Sequence, residues 1–487
     1  MSCTMRDRAR EARGWSAARS AACAARAPAC LLSLVLPLLG GCLGPFYHHP
    51  DIPPPAAWTT GSDAAAAEWP DRDWWHGFDS SDLDQLIGQA QHANDDLRAA
   101  VARVHQADAQ RRIAGAPLLP ALNAEATATR ARQPVLGEGY VTGNAFNPLL
   151  SASYELDFFG RNRALYAAAS ASAKASRFDR TTVELSVMAG VAGTYFQVLE
   201  LRDRLAIAQD NYANAAKVLR GLKLEETAGI ATGLDVAQQE TVVATVNATI
   251  PPLKQQLRQN LDALAILIGA TPESVDVTHG DLDQIGQPLV RPGLPSELLA
   301  RRPDVAEAEA QLIAANANIA AARAAFFPTI SLTATGGFES SALAGLLTPA
   351  NRVWSLGADV TQPIFQGGAL LGQYQLAKGR YEELLADYHK AVISALANVE
   401  DALIALQQSS DLVERQQTAA TTAQRAYEFA QAQMRAGTIN VLTLLSTETA
   451  LFSARDALAQ AKYAHLQALV TLYQALGGGW QQQEPLS

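Results

Sequence analysis

Two periodicities alternate along this chain. After Pro120, the residues Leu122, Ala124, Ala126 and Ala128 alternate with Asn123, Glu125, Thr127 and Thr129, and then Leu150, Ala152, Tyr154, Leu156 and Phe158 with Ser151, Ser153, Glu155 and Asp157. The two-residue period returns in Ile330, Leu332 and Ala334 against Ser331, Thr333 and Thr335, and in Trp354, Leu356, Ala358 and Val360 against Ser355, Gly357, Asp359 and Thr361. Successive strand side chains point to opposite faces, so this predicts four two-faced strands over ~120–132, ~149–158, ~329–338 and ~353–365, paired through loops 133–148 and 339–353. Strands of about ten residues cross a bilayer when tilted. A half-buried sheet packed on helices shows the same alternation.

Between the strands the period lengthens. No proline occurs from Gly160 to Gly229, or from Gly368 to Gly437. Val187, Val191, Thr194, Val198, Leu201, Leu205 and Ala208 step by four and three, as do Tyr381, Leu385, Tyr388, Val392, Ala395 and Val399. That is a heptad seam, on helices that run roughly 100 Å at 1.5 Å per residue. Each reaches a glycine, in Ala228-Gly229-Ile230 and Ala436-Gly437-Thr438, and returns to about Ile268 and Leu476. Helices reversing at a glycine form antiparallel hairpins.

One offset of 208 residues relates the halves: Pro120 to Pro328, Gly160 to Gly368, Gly229 to Gly437, Glu240 to Glu448 and Gly269 to Gly477. The chain is two copies of one unit. The organisation expected is a signal segment over 1–41, an extended linker over 42–76, repeats over 77–284 and 285–477, and a tail over 478–487. Fold class follows as an α+β membrane channel protomer with four strands and two long helical hairpins. Four strands cannot close a barrel, since an open edge in lipid leaves backbone groups unpaired and small barrels need about eight. Strands from several protomers must therefore pool.

Composition narrows the setting. Net charge is −10, which excludes a basic nucleic-acid surface, and no run of eighteen apolar residues offers a spanning helix. All four cysteines lie at or before position 42, leaving none for disulfides or thiolate metal sites in the body. Six arginines, then Leu31–Leu39 and Leu39-Gly40-Gly41-Cys42, form a secretory signal ending in a lipoprotein cleavage box. Cys42 is the expected lipidation site, and the processed chain carries a net charge of −14. Leu43 follows the cysteine instead of Asp, favouring the outer membrane. His48 and His49 in the Pro-rich linker read as bystanders. No zinc box, phosphate loop or nucleophile elbow occurs, so neither enzyme activity nor cofactor is expected.

At Trp74-Trp75 with Phe78, Tyr154-Glu155-Leu156-Asp157-Phe158-Phe159-Gly160-Arg161, Leu294-Pro295-Ser296-Glu297-Leu298-Leu299-Ala300-Arg301-Arg302-Pro303-Asp304-Val305, Ala325-Phe326-Phe327-Pro328 and Ala475-Leu476-Gly477-Gly478-Gly479-Trp480, the chain resembles outer-membrane efflux lipoproteins of the TolC/OprM type, in the NodT-like group. The resemblance implies a homotrimer with a twelve-stranded barrel and an α-helical periplasmic duct, docked to a periplasmic adaptor and an inner-membrane transporter, commonly of the proton-driven RND class.

The resemblance also implies a constricting ring at the second hairpin tip. Aspartates often stand there, but Thr443 and Ser446 do here, and Asp235 holds the position equivalent to Thr443. Asp235 is the gate candidate, with a helix-capping acid as the alternative. Around the tip glycines Gly229 and Gly437, the apolar Leu234, Val236, Val441, Leu442 and Leu444 either dock an adaptor or seal the coiled coil. Glu155, Asp157 and Asp359 are expected to line an acidic, cation-favouring lumen, with Leu150, Ala152, Tyr154, Trp354, Leu356 and Val360 facing lipid. Two further functions fit less closely: a same-fold duct for type I protein secretion, and a lipidated periplasmic adaptor, which would carry only one hairpin.

Overall fold

The structure, a computed structural model, describes residues 47–59, 69–135, 139–277, 280–290 and 293–481. The expected signal segment over 1–41 and Cys42 lie outside the described residues. Helices α1 (Ser81–Ala93) and α2 (Asp95–Gly115) lead into strands β1 (Ala121–Val135) and β2 (Gly139–Leu156), then α3 (Arg161–Thr227) and α4 (Gly233–Leu267). The second copy runs α5 (Pro303–Ala324), β3 (Thr329–Phe338), β4 (Arg352–Thr361), α6 (Ala369–Arg435) and α7 (Val441–Ala475). The 208-residue offset holds at both ends of both long helices: α3 and α6 have 67 residues each, α4 and α7 have 35 each. No described helix is long and apolar enough to cross a membrane.

The strands form one antiparallel sheet ordered β1-β2-β3-β4. Its register pairs odd residues with odd and even with even: Asn123 with Ser151, Ser151 with Thr335, Thr335 with Ser355. One face is therefore polar on all four strands. The other carries Leu122, Leu150, Leu332, Trp354, Leu356 and Val360, all exposed in the protomer, Trp354 by 76%.

Strand bounds differ from the expected ones at three points. β1 runs on to Val135 and β2 starts at Gly139, so most of the expected loop 133–148 is strand. Alternation fades there, with Arg130 and Arg132 on the otherwise apolar face, and the ladder to the partner strand, not the pattern, sustains pairing. β2 ends at Leu156 because Asp157 turns to cap α3. β4 ends at Thr361, before Gln362-Pro363, where proline lacks a ladder donor.

The main core lies where α1, α3 and α7 meet. Trp74, Trp75 and Phe78 form a short 3₁₀ turn buried in it; Trp74 stacks on Tyr473 at 4.9 Å and Phe78 packs against Phe196 at 5.0 Å. Trp74 and Trp75, which fall inside the expected linker, are therefore core residues. The described linker is docked as well. Trp58 is buried and its indole donates to the carbonyl of Gly293 (2.7 Å), while Tyr47 donates to Glu309 (3.0 Å). His49 Nδ1 meets Glu309 at 2.6 Å and its ring stands edge-on to Tyr388. Aromatic side chains in a Pro-rich segment explain the docking: each buries large area at little entropic cost. At the far end, Gly477, Gly478 and Gly479 all have positive φ and Trp480 packs on Phe178, so the expected tail boundary falls inside ordered chain.

Candidate channel face and hairpin tips

Glu155, Ser331 and Asp359 lie in one row across β2, β3 and β4. The two acids stand on the polar face with β3 between them. Asp157 does not join them. Its carboxylate accepts from the backbone N–H of Asn162 (3.1 Å) and Arg163 (2.9 Å) and pairs with the Arg163 guanidinium at 3.2 Å. An acid that closes the N-terminus of a 67-residue helix is held by orphan amides and the helix dipole, so Asp157 is corrected from lumen acid to helix cap.

Both tips end in a Schellman turn. Gly229 has φ 73° and donates to Glu226, with Ile230 donating back to Glu225 (2.8 Å). Gly437 has φ 71° and donates to Met434, with Thr438 donating to Gln433 (3.0 Å). A Cβ at either glycine would meet nothing within 4 Å; the requirement is backbone conformation alone.

The returning helices begin in different chemistry. Asp235 Oδ2 accepts from the Thr232 amide (2.8 Å) and hydroxyl (2.6 Å), and the Asp235 amide donates to Thr232 Oγ1, a reciprocal capping box. Those bonds from Thr232 hold the Asp235 carboxyl below the ordinary carboxylate range. In the second hairpin Asn440 caps, accepting from the amide (3.0 Å) and hydroxyl (2.9 Å) of Thr443, while Ser446 donates to the Thr443 carbonyl. Asp235 and Thr443 thus take part in helix caps, and Ser446 bonds back along its own helix.

The apolar tip residues divide. Val236 and Val441 are buried with Leu222 and Leu445, and Leu444 with Tyr427 and Leu451. These three seal the coiled coil and are corrected as docking residues, because three- and four-residue steps turn them inward. Leu234 and Leu442 are 67% and 57% exposed, with Leu224 and Ile230 exposed beside them.

Behind the tips lie charged and polar groups that residue spacing did not single out. Arg204 of α3 reaches α7 in a two-point contact to Asp456 (2.6 and 3.3 Å) and bonds Glu200 at 3.0 Å. Burial pushes the Glu200 carboxyl up against the opposing pull of Arg204. Further along, Glu448 is 6% and Asn211 5% exposed; Asn211 Nδ2 has no partner, and the Glu448 carboxyl has the Gln239 side chain beside it but no hydrogen bond of good geometry and no cation. Burial raises the Glu448 carboxyl to about 7. The repeat landmark Glu240 marked this position, but Glu240 itself is half-exposed and paired with Lys223, so the repeat gave no sign of a buried acid. Among the described residues no cluster of three His, Cys, Asp or Glu side chains is placed to hold a metal.

The family model described as outer membrane efflux protein matches residues 86–270 and 294–478, one match per repeat. The chain is 43% identical over 420 residues to the pyoverdine export outer membrane protein OpmQ of Pseudomonas aeruginosa, covering 84% of this chain and 88% of that one. It is 34% identical over 471 residues to the toluene efflux pump outer membrane protein TtgC of Pseudomonas putida, covering 93% and 96%. Among solved structures, the outer-membrane channel OprN superposes with a TM-score of 0.83 at 30% identity, over 91% of this chain and 100% of that one. The open state of the Neisseria gonorrhoeae MtrE outer membrane channel gives 0.81 at 30%, over 90% and 98%. With two matched repeats, strands in one open sheet and paired 67-residue helices, this chain belongs to the outer membrane efflux protein family and has the fold of its TolC/OprM-type channels.

Proposed function

We propose that three copies of this chain close one twelve-stranded barrel in the outer membrane and continue below it as a helical cylinder, a passive exit duct for small molecules in a tripartite efflux system. The observation that carries this is the sheet: β1 and β4 each pair on one side only, and the apolar face is exposed. Unpaired edges in lipid cost several kcal/mol per group, and joining β4 of one protomer to β1 of the next removes them. The helices then place Leu224, Ile230, Leu234 and Leu442 at the periplasmic end, where a periplasmic adaptor and an RND-class transporter would meet the duct. Asp235, repeated three times at that end, is proposed as the acidic constriction, with Thr443 and Ser446 the uncharged counterparts of the second hairpin. Lipidation at Cys42 adds a second hold on the membrane, since several acyl chains at about 0.8 kcal/mol per CH₂ anchor stably.

Small-molecule export is favoured over protein secretion by the relatives, whose names give pyoverdine and toluene as exported compounds. The test joins assembly to transport. Mass measurement of the detergent-extracted protein should give a trimer with a lipid-modified N-terminal Cys42. Expression with its genomic neighbours in an efflux-deficient host should lower accumulation of a fluorescent siderophore or solvent-like dye. A monomer, or unchanged accumulation beside secretion of a large protein, would overturn the proposal.

A further inference from the structure

Behind the hairpin tips, α3, α4 and α7 line a partly open cavity of about 290 Å³ with Glu448 and Asn211 on its wall. Four threonines face it: Thr241, Thr245 and Thr249 on α4 and Thr449 on α7. Each hydroxyl already donates along its own helix, to Ala237, Thr241, Val246 and Leu445 respectively, at 2.8–2.9 Å. Their oxygens therefore present only lone pairs. With both oxygens of Glu448, the wall is rich in acceptors, against Asn211 Nδ2 as an unengaged donor. Val242, Val246 and Phe452 supply apolar lining beside them.

We propose that this cavity is a binding site for a small organic ammonium, its N–H donors on Glu448 and the threonine oxygens and its carbon body against Val242, Val246 and Phe452. A buried carboxylate without a counter-ion is costly, and an acceptor-rich wall is complemented by a cation carrying several donors. Volume separates the occupants. The cavity exceeds a bare ion and sits at the lower end of ligand pockets, roughly 300–1,000 Å³.

Electrostatics adds a pH signature. The groups that face Glu448 are the Gln239 amide of α4, which pulls its carboxyl down slightly, and the Tyr427 phenol of α6; burial dominates and holds the carboxyl near 7. Gln239 is itself fixed by donating to the Ala215 carbonyl of α3 at 2.8 Å. A carboxyl at about 7 is ionised about ten times more at pH 8 than at pH 6, while an alkylammonium stays charged throughout.

The experiment is saturation-transfer NMR on the full-length, detergent-extracted protein with n-butylammonium, and with n-butanol as the uncharged control. Binding of n-butylammonium should be about tenfold stronger at pH 8 than at pH 6, and lost in Glu448→Gln. Thr245→Met, which fills the cavity and leaves the carboxyl in place, should also abolish it, so the result does not hinge on one variant's folding. Equal signals from butanol and butylammonium, binding retained in both variants, or displacement by equimolar potassium chloride would overturn the proposal. None of these readouts depends on transport.

Discussion

Glu448→Gln should stabilise the helical duct at pH 8 and leave it unchanged near pH 4. The amide keeps the shape of the carboxyl, removes its charge and stays beside Gln239. In the folded chain the Glu448 carboxyl lies near 7 against an ordinary 4.5, because burial disfavours its ionised form. The folded state therefore binds this proton more tightly than the unfolded one. Stability from that difference is fully present below 4.5, declines as pH rises, and is lost above 7. At about 1.4 kcal/mol per pKa unit, ionising Glu448 in place costs about 3 kcal/mol, a large share of ordinary domain stability. Glu307, which burial and Asp179 also raise to about 7, titrates in the same window. It is unaltered in the variant, so the difference between the two proteins isolates Glu448. Hydrogen exchange along 241–249 and 444–453, measured from pH 4 to 8.5, reads local opening without needing reversible unfolding of the whole assembly. Wild-type protection should fall by up to about three hundredfold relative to the variant across this range. Parallel pH profiles would show that Glu448 is ionised or water-exposed in the folded chain and refute the reasoning.

Gly437→Ala should cost about 1 kcal/mol through its positive φ alone, since no atom lies within reach of the new Cβ; faster proteolysis at the tip with an unchanged trimer checks it. Leu442→Asp should abolish export without loss of assembly, whereas Leu444→Asp, inside the tip core, should open the hairpin itself, as read by export and native mass together. Single cysteines at Thr333 and Leu332 should label from water and from lipid respectively; equal labelling from water would refute the two-faced sheet. Asp235→Ala removes the acceptor of two Thr232 bonds and should fray the start of α4. It should also raise leak conductance in planar bilayers if the acid forms part of the constriction.

Legibility followed periodicity. The 208-residue repeat, both long helices and both tip glycines are visible because each depends on a local rule: an uninterrupted heptad, a missing proline, a glycine at positive φ. Face parity on the sheet was also readable, since an even offset preserves it. What escaped was set by partners distant in sequence. Residues 139–148 are strand because β1 pairs with them, not because they alternate. Asp157 has the parity of a lumen residue, yet the helix that begins four residues later claims its carboxylate. At the tips, spacing identifies Leu234, Val236, Val441, Leu442 and Leu444 as one group, and only three-dimensional packing separates the exposed pair from the buried three. Glu448 is the sharpest case. Its repeat mate Glu240 is solvated, so a landmark that revealed the duplication could not reveal a buried acid.

The two copies keep their geometry and diverge in chemistry at the hairpin tips. Long-helix lengths match residue for residue, as they must if both hairpins run the same distance from one barrel. The N-caps at the tips do not: a charged Thr232–Asp235 box on one, a neutral Asn440–Thr443 pair on the other. Each cap satisfies the N3 amide of its helix, and the first also engages the Thr232 amide through Asp235. Exchange is the way to separate the roles. Replacing Asp235 by Thr and Thr443 by Asp together preserves net charge and a capping side chain in each hairpin. If the acid serves only as a cap, the exchanged protein should export and conduct like wild type. If charge position matters, single-channel conductance and cation preference should change while trimer mass and thermal stability stay constant. Loss of stability and function together would instead tie each acid to the backbone geometry of its own turn.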